Sequence, residues 1–487
     1  MSESNPESKN LQQVMQQIVE TRVARAVSPS LAAAFWQRGE LRASWLLGDA
    51  DGQGSEPQLD TAYRIASCTK SFTAAAVLLL RERGQLNLDL GLAELLPELR
   101  IVGTGMPTVR MLLSMSAGLP TDNPWADRQE SLDQDGMRKL MLGGIRLVRL
   151  PDEGYEYSNL SYALLGQLIE RVSGVEYRRF IETEFLAPLG MNSTGFDQTV
   201  PASGGLAVGF RSRVGEPSSA GEGELASRSF WQPQPFSSPG QFSAIGGLFS
   251  TLRDLARWAS WLSDAFTEGP TPTQQASDDA VLSRAARREM QQIHTLIGSD
   301  DGGLATGYGF GLFVQQHPER GKTVSHSGGY PGFSSQMVWH PESSSVLIGF
   351  ENASYAKVGE LLTALLAEIL EGTPRQQAEP WPEALKAKAA VEALLWNWDD
   401  NLARSIFAEN VELDKSFPER RAELGSLLDL VGPLQHKPAS GPTVITAAQL
   451  AWSMPTERGE LCCKISLSPL AEPLVQELEL SALPESR

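Results

Sequence analysis

The chain has 487 residues, a net charge of −18, 41% hydrophobic and 21% charged residues, the composition of a globular protein larger than one core usually serves. The acidity excludes nucleic acid, whose phosphates need clustered Lys and Arg, and an anionic membrane surface. Three cysteines, Cys68, Cys462 and Cys463, cannot make a disulfide framework.

The first 26 residues contain no signal-peptide core, and Leu11, Val14, Met15 and Ile18 recur at helical spacing, so the segment reads as an amphipathic helix. With no run of eighteen apolar residues, no membrane span is expected and the cytoplasm is the default compartment. LAAAFWQRG (31–39) and ELRASWLLG (40–48) read as two strands joined by a tight turn at Arg38-Gly39-Glu40. A buried helix is expected at Thr69–Arg83, stopped by Gly84; others at 108–120, ending near Gly118, and at 158–174, ending at Gly174. The stretch from Thr199 to Pro239, dense in Gly, Ser and Pro, reads as long surface loops. In GGLFSTLRDLARWASWL (246–262) Thr251 is the expected N-cap of a helix. Strands return at 308–315, 334–340 and 344–352, and a helix at Tyr355–Glu371 closes the unit. EGTPRQQAEPWPE (371–383) has the composition of a linker, which divides the chain into a catalytic domain, 1–374, and a small α+β domain, 375–487.

Chemistry concentrates in YRIASCTKSFTAAAVLLL (63–80), where Ser67 and Lys70 stand three apart at a helix start and so share a face. A serine hydroxyl needs an adjacent base, and burial can lower a lysine's pKa enough to make it one. Ser354-Tyr355-Ala356-Lys357 has the same S-x-x-K form, but here Ser354 reads as the cap of the closing helix and Lys357 as a solvent-facing side chain. The difference is company: after Ser67 come Tyr157-Ser158-Asn159 and then His326-Ser327-Gly328-Gly329. Each of these has a plainer reading. Tyr157 can be a core tyrosine like Tyr155 and Tyr162, and Asn159 can cap the helix beginning there. Cys68 reads as a small buried thiol; Gly307, Gly309 and Gly311 read as close strand packing; His294, His317, His340 and His436 have no metal spacing. No G-x-S-x-G elbow occurs.

Taken in order, S-x-x-K, Y-x-N and H-x-G, with the flanks MLLSMSAGLP, YEYSNLSYALLG, GGLFSTLRDLARW and YGFGL, resemble the serine β-lactamase and penicillin-binding-protein family over residues 10–372, in particular its class C-like esterases and D-amino-acid amidases. The resemblance implies an α/β (α+β) fold with a five-stranded antiparallel sheet flanked by helices, plus a helical subdomain. It implies that Ser67 attacks a carbonyl, that Lys70 and Tyr157 handle protons with either as acylation base, and that Asn159 orients substrate and lysine. The backbone N–H groups of Ser67 and Gly329 would form the oxyanion hole. His326 stands where relatives carry a lysine and would bond the acyl group or Tyr157. Trp125, Asp127 and Arg128, between the first two motifs, either shape specificity or serve packing and a loop salt bridge.

The expected activity is hydrolysis of small esters or amides without metal or cofactor, with weak or absent β-lactam and D-Ala-D-Ala carboxypeptidase activity. The alternatives are acyl transfer or peptide cyclisation from the same acyl-enzyme, and a non-catalytic penicillin-binding sensor. Oligomeric state stays open.

Overall fold

A computed structural model describes residues 6–214, 229–266, 272–300, 302–371 and 379–485. The chain divides into two compact units, Met1–Pro374 and Arg375–Arg487.

In the first unit, helix α1 (Pro6–Ala24) precedes a hairpin of β1 (Ser30–Gln37) and β2 (Glu40–Gly48). Its turn places Arg38 and Gly39 at positive φ, the conformation a tight hairpin requires. Helices α2 (Thr69–Glu82), α3 (Asn159–Ser173) and α4 (Leu252–Ser263) come from the intervening lobe. Strands β3 (Thr295–Ser299), β4 (Ala305–Tyr308), β5 (Phe313–His317), β6 (Gly321–Tyr330), β7 (Phe333–His340) and β8 (Ser345–Glu351) follow, then α5 (Gly359–Glu371). All eight strands form one antiparallel sheet in the order β2-β1-β8-β7-β6-β5-β4-β3. The expected strands β1, β2, β7 and β8 lie side by side in it; β6, which carries His326, Gly328 and Gly329, is not among the strands expected, because its run of Gly, Ser and Thr lacks an apolar pattern, and three short strands extend the sheet at one edge.

The sheet is buried on both faces along β1, β7 and β8, and β1 and β8 accordingly read as nearly unbroken apolar runs. On one face Ala33, Phe35, Val338 and Leu347 meet Met15 and Val19 of α1 and Leu362, Leu365 and Ile369 of α5. On the other, Ala32, Ala34, Met337, Trp339, Ile348 and Phe350 join the core that holds α2 and α4. Helix α2 is buried all round from Thr69 to Leu80, with its polar residues confined to the first turns and the rest Phe, Ala, Val and Leu. Phe72 of α2 stacks on Trp258 of α4 with ring centroids 3.8 Å apart, and the indole N–H donates to Ser71 Oγ at 2.9 Å. Truncating such a buried tryptophan costs ~3–5 kcal/mol, so α4 is a principal brace of the helix that carries the reactive residues.

Several local expectations need correction. The helix expected at 108–120 is only Val109–Leu113, capped by Thr108, because Met115 turns the chain at positive φ. The run 308–315 is broken between Tyr308 and Phe313, where Gly309 and Gly311 pack against neighbouring backbone. Part of 199–239 pairs as two short strands, Phe210–Val214 with Ser229–Pro233, while 215–228 lies outside the described residues. Residues 372–378 of the expected linker also lie outside them. The closing helix starts at Gly359, not Tyr355.

In the second unit, α6 (Pro382–Trp396), two short helices and α7 (Phe417–Val431) pack on an antiparallel sheet of β9 (Thr443–Thr446), β10 (Gln449–Thr456), β11 (Gly459–Leu467) and β12 (Val475–Pro484). Leu450, Trp452 and Met454 alternate along β10 into a core with Val391, Leu395 and Phe417. No helix among the described residues is long and apolar enough to cross a membrane.

Candidate active site

Ser67 sits in a single 3₁₀ turn, Ala66–Cys68, that feeds directly into α2. Ala66 holds φ +45°, a conformation a residue with a Cβ rarely adopts, so the turn is over-determined by its surroundings. Ile65 donates to the Leu248 carbonyl at 2.9 Å, and the Cys68 thiol donates to the His326 carbonyl at 3.2 Å. Burial pushes that thiol up to about 12, which leaves Cys68 as the small buried group expected of it. Ser67 alone in this turn is only half-buried.

Helical spacing brings Lys70 under Ser67. Its Nζ lies 2.9 Å from Ser67 Oγ, 2.7 Å from Asn159 Oδ1 and 2.8 Å from the Ile245 carbonyl. The residue is fully buried, and burial pushes its amine down to about 7, against the pull of Asp127 and Asp122. Two of the three partners are carbonyl oxygens, which can only accept. A neutral amine has two N–H donors and one lone pair. With both donors on Asn159 and Ile245, the lone pair faces the Ser67 hydroxyl, so the geometry serves both protonation states.

The Asn159 amide is fixed in turn. Its Nδ2 donates to Asn123 Oδ1 at 2.7 Å and Asp122 Oδ1 at 3.2 Å, which turns Oδ1 toward Lys70. Asp122 also accepts from the backbone N–H groups of Asn159 and Leu160, at 2.8 and 2.9 Å. The start of α3 is therefore capped from a distant loop and not by Asn159 itself. Asp122 gave no sequence signal, because a cap from 37 residues away has no local spacing.

Tyr157 lies beside Ser67, and burial raises its pKa well above the usual tyrosine value against an opposing pull from Ser67. Lys70 Nζ lies 5.2 Å from the centre of its ring. His326 is also buried, and where a bond to the acyl group or to Tyr157 is expected its Nε2 instead accepts from the Tyr308 hydroxyl, with Oη 3.1 Å away. Nδ1 donates to the Ser327 carbonyl at 2.7 Å. Both ring nitrogens are thus engaged by the protein, and burial pushes the imidazole down to about 3, so it is neutral. Tyr308, inside the Y-G-F-G-L phrase, is a residue the motif search passed over.

Gly328 and Gly329 follow on β6. A Cβ on Gly328 would lie 2.3 Å from the Ile65 carbonyl oxygen, and one on Gly329 would lie 2.8 Å from the Tyr355 ring. Gly311 would meet the Lys70 carbonyl at 2.6 Å, consistent with close packing and not with a phosphate cradle.

Of the loop residues between the first motifs, Trp125 is exposed and edge-on to Phe242. Asp127 is buried and accepts from Tyr355 Oη at 2.7 Å. Arg128 is exposed. Arg64 and Glu130 form a buried pair at 3.0 Å nearby. Ser354 does not cap α5: its hydroxyl accepts from the Gly332 N–H at 2.8 Å and donates to the Phe210 carbonyl at 3.1 Å, while Lys357 is exposed as expected. Among the described residues no group of three or more His, Cys, Asp or Glu is placed to hold a metal ion.

Comparison with known proteins agrees with this geometry. The Beta-lactamase family model matches residues 15–371. Penicillin-binding protein 4* of Bacillus subtilis (strain 168) is 27% identical over 368 residues, covering 73% of this chain and 76% of the relative. Protein flp of Staphylococcus aureus (strain COL) is 26% identical over 319 residues, 64% of this chain, which spans just over half (56%) of that relative's length. Among solved structures, the octameric penicillin-binding protein homologue from Pyrococcus abyssi superposes with a TM-score of 0.60 at 21% identity, over 96% of this chain and 99% of that one. D-amino acid amidase from Ochrobactrum anthropi SV3 gives 0.56 at 24% identity, over 75% and 100%. The chain therefore belongs to the Beta-lactamase family and is a serine hydrolase.

Proposed function

We propose that the protein hydrolyses small neutral esters or amides through an acyl-enzyme on Ser67. The observation that supports this reading is the 2.9 Å approach of Lys70 Nζ to Ser67 Oγ, with its two other partners both acceptors. Lys70 takes the proton as Ser67 Oγ bonds to the substrate carbonyl carbon, and the resulting oxyanion rests on the N–H groups of Ser67 and Gly329. Tyr157, its phenol kept protonated by burial, gives its proton to the leaving group and recovers one from Lys70 as the C–O or C–N bond breaks. A water molecule then attacks the ester of Ser67, losing its proton along the same route, and Ser67 leaves with a proton. This assigns the acylation base to Lys70 and the relay to Tyr157, because burial lowers the pKa of one and raises that of the other. Asn159 fixes Lys70 and presents its amide edge to the substrate.

Neutral substrates are favoured because His326, uncharged and bonded on both nitrogens, offers no cation for a substrate carboxylate. The fold likeness to a D-amino acid amidase is compatible with amide cleavage. Residues 375–487 hold none of these groups, and we assign them a modulating role. The test is labelling with a fluorophosphonate followed by peptide mass spectrometry. One label per chain, on Ser67, lost in Ser67→Ala, is expected; a label that persists in Ser67→Ala would refute the assignment.

A further inference from the structure

The segment Ser354-Tyr355-Ala356-Lys357 is a turn between β8 and α5, and two of its residues stand in the left-handed region, Tyr355 at φ +53° and Lys357 at φ +63°. Such a conformation is strained for a residue with a Cβ and persists only where its surroundings impose it. Those surroundings are present: Ser354 bridges Gly332 and Phe210, and Arg22, paired with Glu351 at 2.8 Å, donates to the Ala356 carbonyl. The turn is held firmly in a conformation its residues disfavour.

What it presents is the Tyr355 side chain. The ring lies against Gly329, with Cδ1 2.8 Å and Cε1 3.2 Å from where a Cβ would be. The hydroxyl donates to Asp127 Oδ2 at 2.7 Å. Gly329 belongs to the sheet, whereas Asp127 belongs to the helical lobe and is a charge neighbour of both Lys70 and Tyr157. One tyrosine therefore reaches from the strand beside Ser67 to the opposite lobe, and the residue is still 47% exposed. The ring thus packs on the same residue whose N–H is assigned to the oxygen of an acyl group on Ser67.

Resting on the acyl-enzyme reading of Ser67, we propose that Tyr355 is a specificity-determining residue: its ring is a fixed wall of the acyl site, pinned by Asp127, that admits small acyl groups and excludes branched ones. The lack of a side chain at Gly329 is the complement of this wall.

The experiment compares kcat/KM for p-nitrophenyl acetate and p-nitrophenyl trimethylacetate in the wild type, Tyr355→Ala and Tyr355→Phe, with fluorophosphonate labelling of each. Opening a pocket by several carbons changes discrimination by about tenfold or more, so Tyr355→Ala should raise the trimethylacetate-to-acetate ratio by at least that factor. Tyr355→Phe keeps the ring but loses its pin, and should raise the ratio about threefold. A ratio within twofold of wild type in folded, labelled variants would overturn the wall alone. Absence of label on wild-type Ser67 would overturn the acyl-enzyme reading and the wall with it. If Tyr355→Ala does not fold, Tyr355→Phe decides the question by the same ratio.

Discussion

Gly328 and Ile65 touch through their backbones, so closely that a Cβ on Gly328 would come within 2.3 Å of the Ile65 carbonyl oxygen and 2.1 Å of Ser335 Oγ. Strand β6 and the nucleophile turn are in this way set against each other without room for a methyl group. Gly328→Ala should push the two apart, and a displacement of about 1 Å at a reacting group can cost on the order of a hundredfold in rate. The expected result is a folded protein whose rate of fluorophosphonate labelling falls by about that factor. Labelling at the wild-type rate would show that the contact is not coupled to Ser67.

Lys70→Arg should be nearly as damaging as Lys70→Ala. A guanidinium keeps the charge but does not release its proton in this pH range, so it has no lone pair to offer the Ser67 hydroxyl. Steady-state hydrolysis of p-nitrophenyl acetate by both variants makes the comparison. Substantial turnover by the arginine variant would reduce Lys70 to a fixed positive charge.

The pH profile follows from the same amine. Lys70 must be unprotonated to act as base, so kcat/KM should rise with pH through about 7 and then level off. Asp127 pulls this pKa upward; Asp127→Asn, which retains an acceptor for Tyr355, should move the rising limb to lower pH. A limb that stays put, or moves up, would remove Asp127 from the electrostatics of the base. His326, pushed down to about 3, adds no step between pH 5.5 and 8.5.

β-Lactam turnover should be poor. With His326 neutral and enclosed by Tyr308 and the Ser327 carbonyl, its position supplies no charge for a substrate carboxylate. We expect kcat/KM for nitrocefin to fall about a hundredfold or more below that for p-nitrophenyl acetate, a discrimination normal for a site lacking the complementary group. Efficient nitrocefin turnover at pH 8 would reject the argument from charge.

Ser354→Ala should leave labelling of Ser67 intact, because Ser354 holds a turn and touches no reacting group. Loss of its two hydrogen bonds should cost about 1–2 kcal/mol, readable as a lower thermal midpoint. Activity lost in parallel with Ser67→Ala would overturn that division of roles.

What could be read from the sequence was whatever rests on local spacing. Strand β2 and helix α3 were legible because Gly39 and Gly174 mark their limits, and the approach of Lys70 to Ser67 follows from helical geometry. What could not be read rests on distant contacts. Asp122 caps α3 from another loop, Ile245 contributes a backbone carbonyl that any residue would supply, and the partner of His326 is a tyrosine on a different strand. Strands β3, β4 and β6 are not legible: β6 because GKTVSHSGGY has no apolar run although it is central, β3 and β4 because they are short and lie at an edge, with four of the five β3 residues exposed. Tyr355 gives no signal for a different reason: its partners, Gly329 and Asp127, lie 26 and 228 residues away, and the S-x-x-K form of its tetrapeptide concerns only Ser354 and Lys357.

The pairing of β1 with β8, Leu31 opposite Glu351, has a consequence for how the enzyme is made. A ribosome adding about 5–20 residues per second needs roughly 15–65 s to go from one partner to the other. Throughout that interval the β1–β2 hairpin waits with an unpaired edge, an invitation to wrong partners that a chaperone could cover. A nascent chain can already contain Ser67, Lys70 and Asn159, yet it lacks the strand bearing Gly328 and Gly329. Reactivity is thereby withheld until synthesis of the sheet is nearly complete, and a prematurely terminated chain would be born inert.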